Sequence, residues 1–420
     1  MQWRHFPRIA LCVLLFAHIL AHVDRNMLLG FSPQIIRDIG LSNAQYGFLV
    51  GAVWVLSFGL MAMFMGTLAD RYSRPRVVAV GMLVWSVCTW ASGNVHDFTQ
   101  MAMARFFVAS GEAALVPAAV SLLADLFPAR RRGTVIGIFF TGIPLGIGFS
   151  FLLAGTYGET HGWRDTFHAL GVIGALLALP LACLSEERGQ PGHERGAPFG
   201  AQLRALARTV RNTPGLLQVI AGFVLLHMVF AGFAFTQVWL VDERGLDAAA
   251  MAKRIGMLQL VFGTIGAVFG GGLGDRFAHV IKGGHAGFVA ALVVLCAPFM
   301  LAYRFAAPGS ALFYLGMCAG AFLPMAAYGP ANTLIQGMVP ATMRSTVAGF
   351  TMMAINVVAI SLGSLAVGAG RDLLAGAGVA SPFTAMLLAT DVLAIASVVL
   401  FAGAARRGTV VCLPAAIRSH

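Results

Sequence analysis

Five ionisable residues, Asp24, Arg25, Arg105, Glu112 and Asp391, stand inside long apolar runs where a chain would meet little water. At the centre of a bilayer an ionised side chain costs about 2.5–3.5 kcal/mol. The first four would together cost roughly 10 kcal/mol unless paired or hydrated. Lipid supplies neither remedy, so these groups should face one another or a polar cavity. Arg105 and Glu112 are seven residues apart, two turns along one stripe of a helix. His18, His22 and Arg25 fall at i, i+4 and i+7 of another helix, with Asp24 about 100° round it. If both helices line one cavity, Arg25 can pair with Glu112. Burial and a neighbouring arginine act in opposite senses on a carboxyl's hold on its proton. Opening a cavity could therefore switch Glu112 between charged and neutral. A static Arg–Glu staple between helices is the competing reading. His18 and His22 belong to a residue type that titrates near neutrality, and they are candidates for the same cavity or for satisfied core positions. Their spacing would suit a metal, but no third ligand is evident, so neither a metal nor a cofactor is expected. Asp391 could be protonated, paired locally or at an interface, and is given no role.

The elements that must hold these residues are membrane helices. The chain has 420 residues, 58% hydrophobic and 11% charged, with mean hydropathy +0.82. A soluble domain carries about 25% charged residues, so the chain lacks the polar surface to face water. With about 20 apolar residues needed per crossing, helices are predicted near 8–30, 44–66, 76–95, 99–125, 134–157 and 166–184. A second set lies near 214–241, 251–273, 284–303, 310–337, 346–369 and 382–404. The first run resembles a signal peptide, but eleven further spans and the Asp24-Arg25 pair argue that it is kept. The expected organisation is an amino-terminal six-helix bundle (1–185), a polar cytoplasmic linker (186–213), a second six-helix bundle (214–405) and a cytoplasmic tail (406–420). A short amphipathic helix is expected within the linker at 200–210.

Net charge is +11. With both termini placed in the cytoplasm, most lysines and arginines fall on that side, as insertion into a plasma (inner) membrane demands. The basic balance therefore reports orientation and requires no nucleic acid. The six cysteines form no CxxC pair and mostly sit in apolar runs, which reads as buried free thiols. No nucleotide loop, metal cluster or nucleophile motif is present, so an enzyme is not expected. The 50 glycines let helices approach closely in lipid, and Pro144 among Gly142, Gly146 and Gly148 is placed to bend one of them.

The stretch Gly66-Thr67-Leu68-Ala69-Asp70-Arg71-Tyr72-Ser73-Arg74-Pro75-Arg76 is a polar hinge between two of these runs, echoed at Gly271-Gly272-Leu273-Gly274-Asp275-Arg276. Pro128 to Gly137 is likewise matched by Pro340 to Gly349. Two matched hinges in the same order indicate a duplicated half. The G-x-L-x-D-R hinge resembles the loop motif between helices 2 and 3 of the major facilitator superfamily. Asp24-Arg25, Ala104-Arg105-Phe106-Phe107, Gly111-Glu112-Ala113 and Ala124-Asp125-Leu126-Phe127-Pro128 are similar to its Spinster-type branch. The superfamily likeness covers essentially the whole chain, the branch likeness mainly 20–150. Ser73 stands where the superfamily pattern has glycine, Pro75 replaces a basic residue, and Phe277-Ala278-His279 replaces the second loop's basic tail. The two loops are therefore not expected to gate symmetrically.

The resemblance implies an all-α membrane protein of twelve transmembrane helices in two pseudo-symmetric bundles, the major facilitator fold. It implies a secondary transporter in which Asp24 and Glu112 couple protons, with Arg25 and Arg105 as charge partners. Asp70, at the carboxyl end of helix 2, is badly placed against that helix's own dipole and favourable against another helix's amino end. It is expected to latch the halves near Ser345 or Arg130-Arg131-Arg132, with Arg71, Arg74, Arg132, Asp275, Arg276 and Arg344 as further gating residues. A topology anchor is the simpler role for this loop. Phe223, His227, Phe230 and Gln237 share one face of helix 7, Tyr328, Asn332 and Gln336 one of helix 10, and Asn356 lies in helix 11. Opposite the charged helices they would complete a cavity for an amphipathic anion, although ordinary packing also explains an aromatic stripe. The Spinster likeness implies lysophospholipid or sphingoid-phosphate substrates, and small organic acids are the other class considered. Expected partners are a small-molecule substrate, protons and the lipid bilayer, with the chain a monomer. The alternatives are a drug or metabolite exporter, hinted at by Gly142-Ile143-Pro144-Leu145-Gly146, and a non-transporting receptor or scaffold.

Overall fold

The computed structural model describes residues 6–182 and 199–407; the side chains of 62, 63, 65–71, 129, 199–203 and 275 lie outside the description. Among the described residues, twelve helices are long and apolar enough to cross a membrane. Helices 1 to 6 are Pro7–Gly30, Asn43–Met61, Arg74–Ser92, Phe98–Leu126, Arg130–Gly155 and Tyr157–Ala182. Helices 7 to 12 are Leu216–Asp242, Ala248–Leu273, Gly284–Ala302, Ala311–Gly337, Ala341–Gly376 and Pro382–Arg406. The helical backbone of helix 2 runs on to Arg71. The all-α, twelve-helix reading of the sequence holds. Helix 6 begins earlier than apolarity alone predicts, because its first turns, through the kink at Gly162 (φ 77°), are polar. A short helix, Ser32–Ile39, comes after helix 1 and ends on Gly40 in the left-handed region. The linker carries the helix Phe199–Asn212.

Residues cluster into two compact units. The first gathers 1–191 with 233–260 and 364–384, and the second gathers 192–232, 261–363 and 385–420. Helices 7, 8, 11 and, by its first three residues, 12 each pass from one unit into the other.

Several spans are not continuous α-helix. Helix 2 opens with a π turn at Phe48–Val53. Helix 8 has π turns at Gln259–Gly263 and Phe269–Leu273, and helix 11 has one at Ile355–Leu362. Helix 4 is interrupted directly after Glu112, where the α ladder ends and resumes at Leu115. Helix 7 is interrupted at His227. Broken helices at membrane depth survive only where protein or a wet cavity satisfies the freed backbone.

Glycine sets how closely the first unit packs. A Cβ on Gly146 would sit 2.7 Å from the Ile19 carbonyl oxygen, and one on Gly142 2.7 Å from His18 Nδ1, so helix 5 lies directly on helix 1. A Cβ on Gly111 would stand 2.8 Å from the Trp85 amide nitrogen, and one on Gly81 2.6 Å from the Gly111 oxygen. Helices 3 and 4 therefore touch backbone to backbone, one residue before Glu112. Gly111→Val should force them apart at a cost of about 1–3 kcal/mol. The readout is the melting temperature in detergent, and an unchanged value would contradict this packing.

Candidate functional site

Helices 1 and 4 carry two crossed ion pairs in the first unit. Arg25 donates to Glu112 Oε2 from Nη2 (2.7 Å) and Nε (3.2 Å). The Trp54 indole Nε1 donates to the same oxygen at 3.1 Å. The Arg25 guanidinium also lies 3.8 Å over the Trp54 ring, a cation–π contact, and Phe58 stacks behind that ring. Arg25, Glu112 and Trp54 thus form a closed triangle. The Glu112 side chain is 2% exposed and that of Arg25 29%, so the cation reaches open space while the anion does not.

The second pair is more deeply enclosed. Arg105 Nη1 lies 3.3 Å from Asp24 Oδ1, with both side chains at most 6% exposed. Its Nη2 donates to the carbonyls of Asp24 (3.4 Å) and Arg25 (3.3 Å). The Thr89 hydroxyl, from helix 3, donates to Asp24 Oδ2. Ser57 and Ser110 are hydrogen-bonded at 2.8 Å beside the site. Pairing is what lets these four charges sit at bilayer depth. Among the described residues Glu112 Oε1 is buried and has no hydrogen-bond partner. All three of its donors converge on the other oxygen.

The expected Arg25–Glu112 pair therefore forms. Sequence reasoning misses Trp54 and Thr89; a tryptophan and a threonine in apolar helices carry no signal of their own.

His18 and His22 are core residues on the helix 1–helix 5 contact. His18 Nδ1 donates to the Phe139 carbonyl at 2.9 Å. Its ring stacks on Phe139 and meets His22 edge-on. Among the described residues no group of three His, Cys, Asp or Glu side chains is arranged to hold a metal.

In the second unit His227 Nδ1 donates to the Phe223 carbonyl at 2.8 Å, and its ring packs with Phe223, Phe230 and Tyr328. Tyr328 is 39% exposed, its hydroxyl 3.5 Å from Met352 Sδ. Asn332 donates to the Tyr328 carbonyl, and Asn356 is half-buried in the π turn of helix 11. Gln237 does not join this cluster. It belongs to the first unit, where its amide donates to the Ala248 carbonyl at 2.6 Å. Phe223, His227 and Phe230 pack together across the interruption at His227, whereas Gln237 lies two turns beyond Phe230 on the helix Met228–Asp242.

Of the gating residues, Arg74 bonds to Ser121 and Asp125 at 2.6 Å each, across to helix 4. Arg132 Nε donates to the Phe127 carbonyl and Arg344 Nε to that of Gln336, each at 3.2 Å, and Arg276 is exposed. The side chains of Asp70, Arg71 and Asp275 lie outside the described residues. Asp391 pairs locally: Arg304 Nε donates to its Oδ2 at 2.8 Å, with both side chains at most 4% exposed. Sequence reasoning does not reach Arg304 as its partner, because that arginine lies beyond the apolar run of helix 9.

The chain belongs to the Major Facilitator Superfamily, whose profile matches residues 14–364. It is 29% identical to an MFS-type efflux pump of Mycolicibacterium smegmatis over 66% of this chain and 65% of that protein. It is 26% identical to the hexuronate transporter of Bacillus subtilis over 64% of this chain and 65% of that one. It is 28% identical to protein spinster of Drosophila melanogaster over 53% of this chain and 37% of that protein, in keeping with the Spinster-type motifs. Each match spans less than two thirds of the relative's length. The crystal structure of a bacterial homolog of the human lysosomal transporter Spinster, inward-facing and unoccupied, superposes with TM-score 0.80 over 96% of this chain and 97% of that one. At 20% identity that likeness shows the fold.

Proposed function

We propose that the chain is a proton-coupled secondary transporter of a small or amphipathic organic anion, working by alternating access of its two six-helix halves. The observation that carries the reading is the Arg25–Glu112–Trp54 triangle with its unpartnered Glu112 Oε1. When Glu112 is ionised, Arg25 is neutralised by it. When Glu112 takes a proton on the free oxygen, Arg25 loses its counter-charge and its guanidinium is released to meet a substrate anion. Asp24 and Arg105 stand behind as a second exchangeable pair, next to the first. The hexuronate specificity of one relative favours a carboxylate substrate. The aromatic group around His227, Phe230 and Tyr328, with Asn332 and Asn356, would supply the apolar wall for a larger substrate. In this reading residues 1–185 and 214–405 are the moving halves of a monomer joined by 186–213. The protein lies in the inner (plasma) membrane with both termini in the cytoplasm.

The efflux pump among the relatives favours a second reading, export of a drug or metabolite. Purified protein in liposomes decides between them. Uptake of labelled glucuronate, lysophospholipid and a cationic drug is measured with and without an imposed pH gradient. Accumulation of an anion that collapses with the gradient supports the proposal. Gradient-driven movement of the cation alone supports export, and no flux of any class overturns both.

A further inference from the structure

Helix 2 begins with a cap that is only half its own. Ser42 and Gln45 form a capping box: the Ser42 hydroxyl accepts from the Gln45 amide and the Gln45 side chain accepts from the Ser42 amide. That leaves earlier amides of the first turn without an intrahelical partner. One of them, on Ala44, donates to Asp372 Oδ2 at 3.0 Å, and the Asn43 side chain donates to Asp372 Oδ1 at 2.8 Å. Asp372 comes from the far end of the sequence, one turn before the end of helix 11. On its own helix a carboxylate there is badly placed, since the macrodipole already presents negative charge. Against the amino end of helix 2 it is well placed. Arg371 is the charged neighbour, 3.4 Å from Asp372 Oδ1.

The surrounding backbone is shaped for this contact. A Cβ on Gly47 would lie 3.2 Å from Leu365 Cα, and one on Gly368 3.0 Å from the Ala44 amide nitrogen. Helices 2 and 11 therefore approach through glycine on both sides. Within the same unit Arg37 pairs with Asp242 and Glu159 with Lys253, each at 2.6 Å, and Tyr46 donates to the Ala234 carbonyl. These bonds tie residues of the first 182 to the adjoining ends of helices 7, 8 and 11.

We propose that Asp372 is a conformational latch: by capping the amino end of helix 2 it holds this end of the protein shut, and it must let go each time this end opens. The latch does not depend on which solute is carried, so a failed transport assay and a failed latch are separate results.

The test uses the full chain with its six native cysteines replaced and Ser364→Cys added, since Ser364 is 1% exposed and lies against Gly47. Labelling by a hydrophilic maleimide in detergent micelles reports how often the seam opens. Asp372→Asn should speed labelling about tenfold, because the amide brings no charge to the helix end and its NH2 meets one of the two donors that the carboxylate accepts from. Asn43→Asp, which leaves Asp372 in place and sets a like charge against it, should do the same. The double change Asn43→Asp/Asp372→Asn restores one carboxylate and one amide across the seam, and should bring the rate back to about that of the parent. If Asp372→Asn does not fold, Asn43→Asp alone decides. Labelling at the parent's rate in the folded single variants, or a double variant as fast as the singles, overturns the proposal.

Discussion

In liposomes with an imposed pH gradient of about 1.7 units, the Glu112→Gln protein should lose the roughly fifty-fold accumulation that one proton per cycle can sustain. A proton moving with a monovalent anion carries no net charge, so the pH gradient alone supplies about 2.3 kcal/mol, and glutamine cannot bind that proton. The amide keeps the shape and can still accept from Arg25 Nη2 and Trp54 Nε1, which now meet at a carboxylate oxygen at 2.7 and 3.1 Å. Folding should survive, and exchange of labelled for unlabelled substrate across the membrane should persist. The informative quantity is therefore the ratio of driven accumulation to exchange. A static staple between helices 1 and 4 would leave that ratio unchanged. A Glu112→Gln protein that still concentrates substrate only when a proton gradient is imposed would remove Glu112 from the coupling.

The second large effect concerns stability and the Arg304–Asp391 pair. Both side chains are at most 4% exposed, with the guanidinium nitrogen Nε 2.8 Å from the carboxylate. Arg304→Met leaves buried Asp391 without its cation, and Asp391→Leu leaves the arginine without its anion. Breaking a buried pair from either side costs about 3–5 kcal/mol. Replacing both members by apolar residues is often neutral or stabilising. The double variant Arg304→Met/Asp391→Leu should thus recover most of the melting temperature that either single change loses. Additive losses would mean that the two residues act independently. The contrast with the first bundle is informative: there the pairs adjoin a partly exposed arginine, whereas this one is closed off and reads as structural.

Much of this is legible in the sequence, for one physical reason. Charges are expensive in hydrocarbon, so every ionisable residue inside an apolar run demands a partner. That demand, with the two-turn spacing of Arg105 and Glu112, leads to the Arg25–Glu112 pair from residue order alone. The same rule cannot say who partners Asp24 or Asp391, because cost fixes the need for a partner and says nothing of its identity. Arg304 sits in a loop where an arginine needs no explanation. Trp54 is one of six tryptophans, and its part depends on where the π turn at 48–53 releases helix 2. Gln237 shows the opposite failure. Ideal helical spacing places it on the face of Phe230, but the two residues are two turns apart on the continuous helix Met228–Asp242, and about 10 Å of rise carries Gln237 past the rings. The cap on helix 2 is invisible in the sequence because it joins residues more than 300 positions apart.

The π turns have one more implication. A π turn is a helix that has absorbed an additional residue while completing the same revolution. Deleting one residue between Ile355 and Leu362 would rewind that segment as ordinary α-helix and keep the remainder of the span in phase. The same deletion a few positions later would swing Asp372 about 100° away from the start of helix 2. Length variation along helix 11 therefore has a permitted address, and natural insertions and deletions should collect there.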